Sequence, residues 1–303
     1  MKTQSHFLEI AKQRTIIFDG AMGTSLFSYD LTAEDYGGEK YEGCPEQLNV
    51  IRPDIIQEIH TKFFEAGADV VETNTFGSSR LVLAEYGLED KSYEISKLAA
   101  SLARGVADKF TAREAHKPRF VAGSIGPGTK LISLGNISYD ELYESYKPQV
   151  AGLLDGGVDL ILIETCQDPL QIKACLNACI DVMSLPQKFP DEHNNADGTF
   201  RVGSKVPIQV QVTVETMGTM LVGSDIASVL TTLSAYPIDI IGMNCATGPK
   251  EMREHIRYLA ENAPFMVSCL PNAGIPENVG GHAHFPLGPE EFSNELSRFV
   301  KDF

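Results

Sequence analysis

GGVDLILIETCQD, residues 156–168, is the stretch whose reading decides the fold class. Leu160, Ile161, Leu162 and Ile163 form an unbroken apolar run, with Gly156-Gly157 ahead of it and Glu164 behind it. A strand with one wet face alternates apolar and polar residues, whereas a strand covered on both faces does not. The run therefore predicts a fully buried strand that delivers a carboxylate at its C-terminal end. Residues 167–183 then switch to helical spacing, completing one strand–helix unit.

The same unit recurs in both directions along the chain. Strands are predicted over 15–18, 68–73, 120–124, 160–164, 208–214, 238–244 and 265–269. Helices are predicted over 53–66, 93–109, 139–156, 167–183, 223–235, 249–261 and 289–301, with Ser224 and Asp225 as acceptors near the start of the fifth. This alternation is the pattern of a parallel sheet covered by helices. Polar residues gather after nearly every strand: Asp19-Gly20, Asn74, Gly126-Pro127, Glu164, Glu215, Asn244-Cys245 and Asn272. A doubly wound sheet concentrates its ligand groups at one crevice, where strand order reverses. A (β/α)8 barrel opens every βα loop onto one face, and active sites form there. The expectation is a TIM-type (β/α)8 barrel in one domain, residues 1–303, lacking its eighth strand and following helix. Residues 184–206, rich in Pro, Asn and Asp, read as an exposed loop. The polar segment 29–43 reads as a lid on the catalytic face. No internal repeat is visible.

The formal charge of −16 argues against nucleic-acid binding, which needs clustered Lys and Arg. Residues 1–12 lack the apolar core of a signal peptide, and no stretch has the apolar length of a membrane span. The expected location is cytoplasmic. The six cysteines are scattered and lack the density of a disulfide scaffold, so a special one must be a ligand or nucleophile.

Several residues could carry chemistry. FDGAMGT, residues 18–24, sets Asp19 and two glycines directly after a strand. That arrangement suits a substrate ammonium and a turn of converging N–H groups, or an ordinary turn. Glu164 ends a buried strand and needs a cation, either a substrate ammonium or an internal Lys or Arg. Cys245 follows a strand ahead of a Gly-Pro helix entry, as a zinc thiolate or an inert thiol; alone it cannot make a metal site. Cys166 reads as packing, and Cys269 as a second ligand candidate or a packed turn residue. His282 and His284 have a metal-compatible spacing but no acidic or cysteine partner nearby in sequence. His60 reads as a surface or satisfied side chain.

Taken together, ten segments resemble the homocysteine S-methyltransferase family. They are DGAMGT (19–24), EGCPEQLN (42–49), RPDIIQEIH (52–60), AGADVVETNTFG (66–77), AGSIGP (122–127), SLGNISYDEL (133–142), GGVDLILIETCQD (156–168), ETMGTMLVGSD (215–225), NCATGP (244–249) and SCLPNAG (268–274). EGCPEQLN and SLGN are most similar to the N-terminal homocysteine-binding module of the cobalamin-dependent, methionine synthase branch.

The resemblance implies a (β/α)8 barrel that binds homocysteine and a catalytic zinc held by three cysteine thiolates. The first of these falls on Cys245. It implies that Asp19 and Glu164 hold the substrate amino group, and that backbone groups of Gly20, Ala21 and Met22 meet its carboxylate. Asn74 and Asn244 would support the pocket. Zinc would favour the substrate thiolate, and methylcobalamin, presented by another domain or protein, would supply the methyl group. The family's other two ligands, an adjacent Cys-Cys pair, would fall beyond Phe303. The expectation is thus an incomplete module, inactive alone, that needs an extension or a partner chain to supply them. The alternatives are a cobalamin-independent methyltransferase using betaine or S-methylmethionine, and a non-catalytic homocysteine-binding subunit.

Overall fold

The computed structural model describes residues 5–184, 205–279 and 282–303. The exposed loop expected over 184–206 falls almost wholly outside them. β1 (Val70–Glu72), β2 (Phe120–Ile125), β3 (Leu160–Cys166), β4 (Ile208–Val212), β5 (Ile240–Asn244) and β6 (Met266–Leu270) form one six-stranded sheet, with neighbours in strict chain order. The pairs β1–β2, β4–β5 and β5–β6 are parallel. A doubly wound sheet would break this order at a switch point. Sequential order is that of a (β/α)8-type fold, and an eighth strand of this sheet is not among the described residues.

The strand expected at 15–18 is reduced to a single parallel bridge, Phe18 to Val70. Two hydrogen bonds flank it: Val70 N to Ile17 O at 3.2 Å and Asp19 N to Val70 O at 3.0 Å. Another departure is a separate antiparallel hairpin of β7 (Glu277–Val279) and β8 (His282–His284), where the sequence reading placed a loop.

The chain divides into two compact units, Met1–Lys130 with Ile137–Leu162 and Lys173–Pro207, and Leu131–Asn136 with Ile163–Ile172 and Ile208–Phe303. In the first unit, the helix Pro53–Ala66 starts with proline at its first turn and stops at Gly67, whose φ of 107° gives the left-handed cap. Its Ile55, Ile56 and Ile59 pack with Leu26 and Leu48. Tyr29, Leu31 and Tyr36 from the expected polar lid also pack against this cluster, and Asp35 pairs with Arg52. His60 overturns its reading as a surface or satisfied residue. It is fully buried, neither ring nitrogen has a hydrogen-bond partner among the described residues, and burial lowers its pKa to about 4. The spacing explains why: Ile56, Ile59, His60 and Phe63 form one i, i+3, i+4, i+7 stripe.

A device repeats at the strand starts. Asp69, just ahead of β1, accepts Ile17 N at 3.0 Å and Arg14 Nη1 and Nη2 at 2.7 and 2.8 Å. Asp159, ahead of β3, accepts Val121 N at 2.7 Å and Arg104 Nη1 at 2.6 Å. In the second unit Asp239, ahead of β5, accepts Ile208 N at 3.1 Å. Each carboxylate captures an N–H at or near the start of the neighbouring strand. That fixes register, which a slip of one residue would destroy by exchanging the two faces.

The second unit contains a polar layer that apolar-run reasoning does not anticipate. Gln209 and Gln211 of β4 are buried, and both amide nitrogens donate to Ser268 Oγ of β6, at 3.0 and 2.8 Å. Gly242 of β5 lies between Gln211 and Ser268 in register. A Cβ there would sit 2.2 Å from the Ser268 carbonyl oxygen, so only glycine fits. Among the described residues, no helix is long and apolar enough to cross a membrane.

Candidate active site

β3 and β5 flank β4, and in the second unit their C-terminal ends meet through one carboxamide. Glu164 is 8% exposed and Asn244 3% exposed, so their polar atoms must find partners within the protein. Asn244 Oδ1 accepts Thr165 N at 2.8 Å. Its Nδ2 donates to Glu164 Oε2 at 3.1 Å and Thr165 Oγ1 at 2.8 Å, and lies 3.6 Å from Cys245 Sγ. The Thr165 hydroxyl also lies 3.5 Å from Glu164 Oε2 and 3.9 Å from Cys245 Sγ. A carboxylate, a thiol, a hydroxyl and a carboxamide thus form one cluster, built from two strand ends.

The backbone that presents them is unusual. Thr165, Cys245 and Ala246 have φ of 56°, 57° and 55°, in the left-handed region that residues bearing a Cβ rarely adopt. Such conformations persist only where the surroundings enforce them. Here Thr213 Oγ1 donates to Asn244 O at 3.0 Å, Cys245 N to Leu270 O at 3.2 Å, and Thr247 N to Cys245 O at 2.6 Å. Burial and the neighbouring Glu164 carboxylate push the Cys245 thiol above its ordinary pKa. A thiolate here therefore needs a compensating cation.

Asp168 anchors the adjoining loop. Its carboxylate accepts Ser133 N at 2.9 Å, Ser133 Oγ at 2.8 Å and Leu170 N at 2.9 Å, tying SLGN to the end of β3. Cys166 is buried, with Glu164 O at 3.5 Å and Gln171 Nε2 at 3.8 Å from its sulfur, a packing role. Cys269 packs against Met252 Sδ at 4.0 Å, and burial raises its pKa to about 12.

The remaining expected site residues lie in the first unit. Asp19 follows the Phe18 bridge, and its Oδ2 accepts Glu72 N at 3.0 Å. Gly20 lies close to Phe63, Ala21 caps the short helix Met22–Phe27, and Met22 opens that helix and packs on the core. Asn74 is occupied locally. Its Nδ2 donates to Pro45 O at 2.7 Å, and its carbonyl accepts Asn49 Nδ2 at 2.8 Å. Glu46, which the sequence reading passed over, completes this staple by accepting Gly77 N at 2.6 Å.

Structural zinc sites take four ligands and catalytic ones at least three from the protein. Among the described residues, no three His, Cys, Asp or Glu side chains are grouped to hold a metal. The cluster at Cys245 offers one thiol and one carboxylate, so the described residues do not by themselves fit zinc.

A buried acid and a half-buried thiol stand at the C-terminal ends of sequentially ordered strands, the face on which (β/α)8-type folds build active sites. The chain belongs to the homocysteine S-methyltransferase family, whose profile matches residues 16–303. It is 43% identical over 296 residues to methionine synthase of Mycobacterium tuberculosis and 44% identical over 296 residues to that of Mycobacterium leprae. These matches take in 98% of the chain but only 23% of the relatives, so the chain spans about a quarter of their length. Among solved structures, it resembles the homocysteine methyltransferase MmuM of Escherichia coli. The metallated form matches with a TM-score of 0.69 at 20% identity, covering 88% of this chain and 86% of that one. The oxidized form gives 0.71 at 19% identity, covering 96% and 89%. At that identity the likeness shows a shared fold.

Proposed function

We propose that this chain binds homocysteine and serves methyl transfer to its sulfur. The observation carrying this reading is the Glu164–Thr165–Asn244–Cys245 cluster in a chain of this family. Glu164 is buried, and a substrate ammonium is the cation that its carboxylate would hold by charge-assisted hydrogen bonds. In the first unit, Asp19 and the backbone of Gly20, Ala21 and Met22 are proposed as substrate-binding groups. Asn74 and Asn244 act as supports. In the reaction the homocysteine sulfur gives up its proton and forms the new S–C bond. The methyl donor's leaving atom departs with the bonding electrons, and methionine results. Zinc, with Cys245 as one ligand, belongs to this reading only if further ligands come from outside the described residues.

Two donor chemistries follow from two observations. The methionine synthase relatives favour methylcobalamin carried by another domain or protein. The solved homocysteine methyltransferase matches over most of its own length, which favours a methyltransferase working without a corrinoid, on betaine or S-methylmethionine. That second reading has the fuller coverage. Incubating the chain and zinc with homocysteine and each donor in turn, and measuring methionine by mass spectrometry, separates them. Turnover with S-methylmethionine or betaine supports the second, and turnover only with methylcobalamin supports the first. Homocysteine binding without turnover on any donor supports a non-catalytic homocysteine-binding subunit. An absence of homocysteine binding contradicts the proposal as a whole.

A further inference from the structure

We infer that Thr165 is a positioning residue for this site, holding the Asn244 carboxamide in the one orientation that serves Glu164 and Cys245 together; the inference rests on the homocysteine-binding reading above. A carboxamide can sit in either of two orientations related by exchange of its oxygen and nitrogen. Thr165 grips both ends of Asn244: its backbone N–H donates to Oδ1 at 2.8 Å, and its hydroxyl accepts from Nδ2 at 2.8 Å. The reversed amide would set NH₂ against N–H and oxygen against the Glu164 carboxylate. With the orientation fixed, Nδ2 is left facing Glu164 Oε2 at 3.1 Å and Cys245 Sγ at 3.6 Å.

The backbone supplies the second strand of the argument. Thr165 has φ of 56°, which for a β-branched side chain is an outlier. Glycine would occupy that conformation without strain but has no hydroxyl to offer. The strained residue is retained at the position where both its N–H and its hydroxyl are used. Valine at 165 keeps the shape, the branching and the N–H while removing only the hydroxyl, and serine keeps the hydroxyl while removing the methyl group.

Two measurements on the 303-residue chain test the inference. Isothermal titration with homocysteine should show Thr165→Val and Thr165→Gly weaker than the parent by about tenfold, the loss expected for one buried hydrogen bond in the support of a charged contact. Thr165→Ser should stay within about threefold, and Thr165→Gly should unfold at the same temperature as the parent or higher. Hydrogen exchange of the Asn244 side-chain amide, followed by NMR without ligand, reads the clamp directly. Protection should persist in Thr165→Ser and fall about tenfold in Thr165→Val. Equal protection in parent and Thr165→Val overturns the inference, as does homocysteine affinity in Thr165→Val within twofold of the parent. If the parent fails to bind homocysteine while the exchange pattern holds, the functional reading fails and the clamp stands.

Discussion

Asn244→Leu removes the connection between the two strand ends while leaving a side chain of similar volume. Three bonds disappear: Oδ1 from Thr165 N at 2.8 Å, Nδ2 to Thr165 Oγ1 at 2.8 Å, and Nδ2 to Glu164 Oε2 at 3.1 Å. A neutral bond contributes about 1 kcal/mol net, a bond to a carboxylate about 1.5–3 kcal/mol, and a stranded buried N–H costs about 1–3 kcal/mol. The burial of leucine offsets part of this, by about 1.5–2 kcal/mol. The expected destabilisation is about 2.5–6.5 kcal/mol, read as a lower urea midpoint at unchanged slope in circular dichroism. If the two compact units unfold separately, the loss belongs to the transition of the second. Asn244→Asp makes the sharper control. It keeps an acceptor for Thr165 N but sets a second carboxylate against Glu164, so its destabilisation should be largest at pH 7 and shrink toward pH 4 as the pair takes up a proton. A change below about 0.5 kcal/mol in Asn244→Leu, or a pH-independent loss in Asn244→Asp, would refute the reasoning.

Other expectations follow from single features. His60 has a folded pKa of about 4 against 6.5 for the free side chain, so its neutral form is the folded one. Stability is therefore full above pH 6.5 and falls as pH drops, by about 2 kcal/mol between pH 7 and pH 5; urea titrations of His60→Leu should lack that component. Gly242→Ala places a Cβ against the Ser268 carbonyl, and backbone cannot yield as a flexible side chain would. It should lose at least about 2 kcal/mol in the same assay. Asp159→Ala strands Val121 N–H, while the Arg104 guanidinium keeps Arg119 O and Asp108, and should cost about 2–3 kcal/mol, most of it recovered in Asp159→Asn if the N–H bond dominates.

The parts of the fold legible in the sequence were those written in local pattern. Apolar runs mark β1 to β6, and helical spacing marks the helix Tyr139–Asp155, which the structure opens with a Ser138–Glu141 capping box. The strand at 15–18 was overstated because Ile17 is 54% exposed and the ladder holds only one bridge there. The hairpin leaves no such mark, because its two strands are only three residues each, too short for an alternating pattern to register. Glu164, Asn244 and Cys245 stood out as polar residues ending buried strands, and the structure does bring these three together. Thr165 did not stand out. Its importance lies in a positive φ and in bonds to a residue 79 positions away, neither of which leaves a mark in local sequence. The Asp device at 69, 159 and 239 escaped for the same reason: a lone Asp before an apolar run looks like an ordinary turn residue until its bond to the next strand is seen.

The central claim is that the Glu164 carboxylate holds the ammonium of homocysteine. Isothermal titration of the parent chain and Glu164→Gln with homocysteine, and with 4-mercaptobutyrate, which lacks the amino group, tests it most directly. Homocysteine should bind the parent about 10- to 100-fold more tightly than Glu164→Gln, matching the loss of a charge-assisted bond. The analogue should bind both proteins alike, and more weakly than homocysteine binds the parent. Equal homocysteine affinity in the two proteins, or equal affinity of the parent for both ligands, would contradict the account.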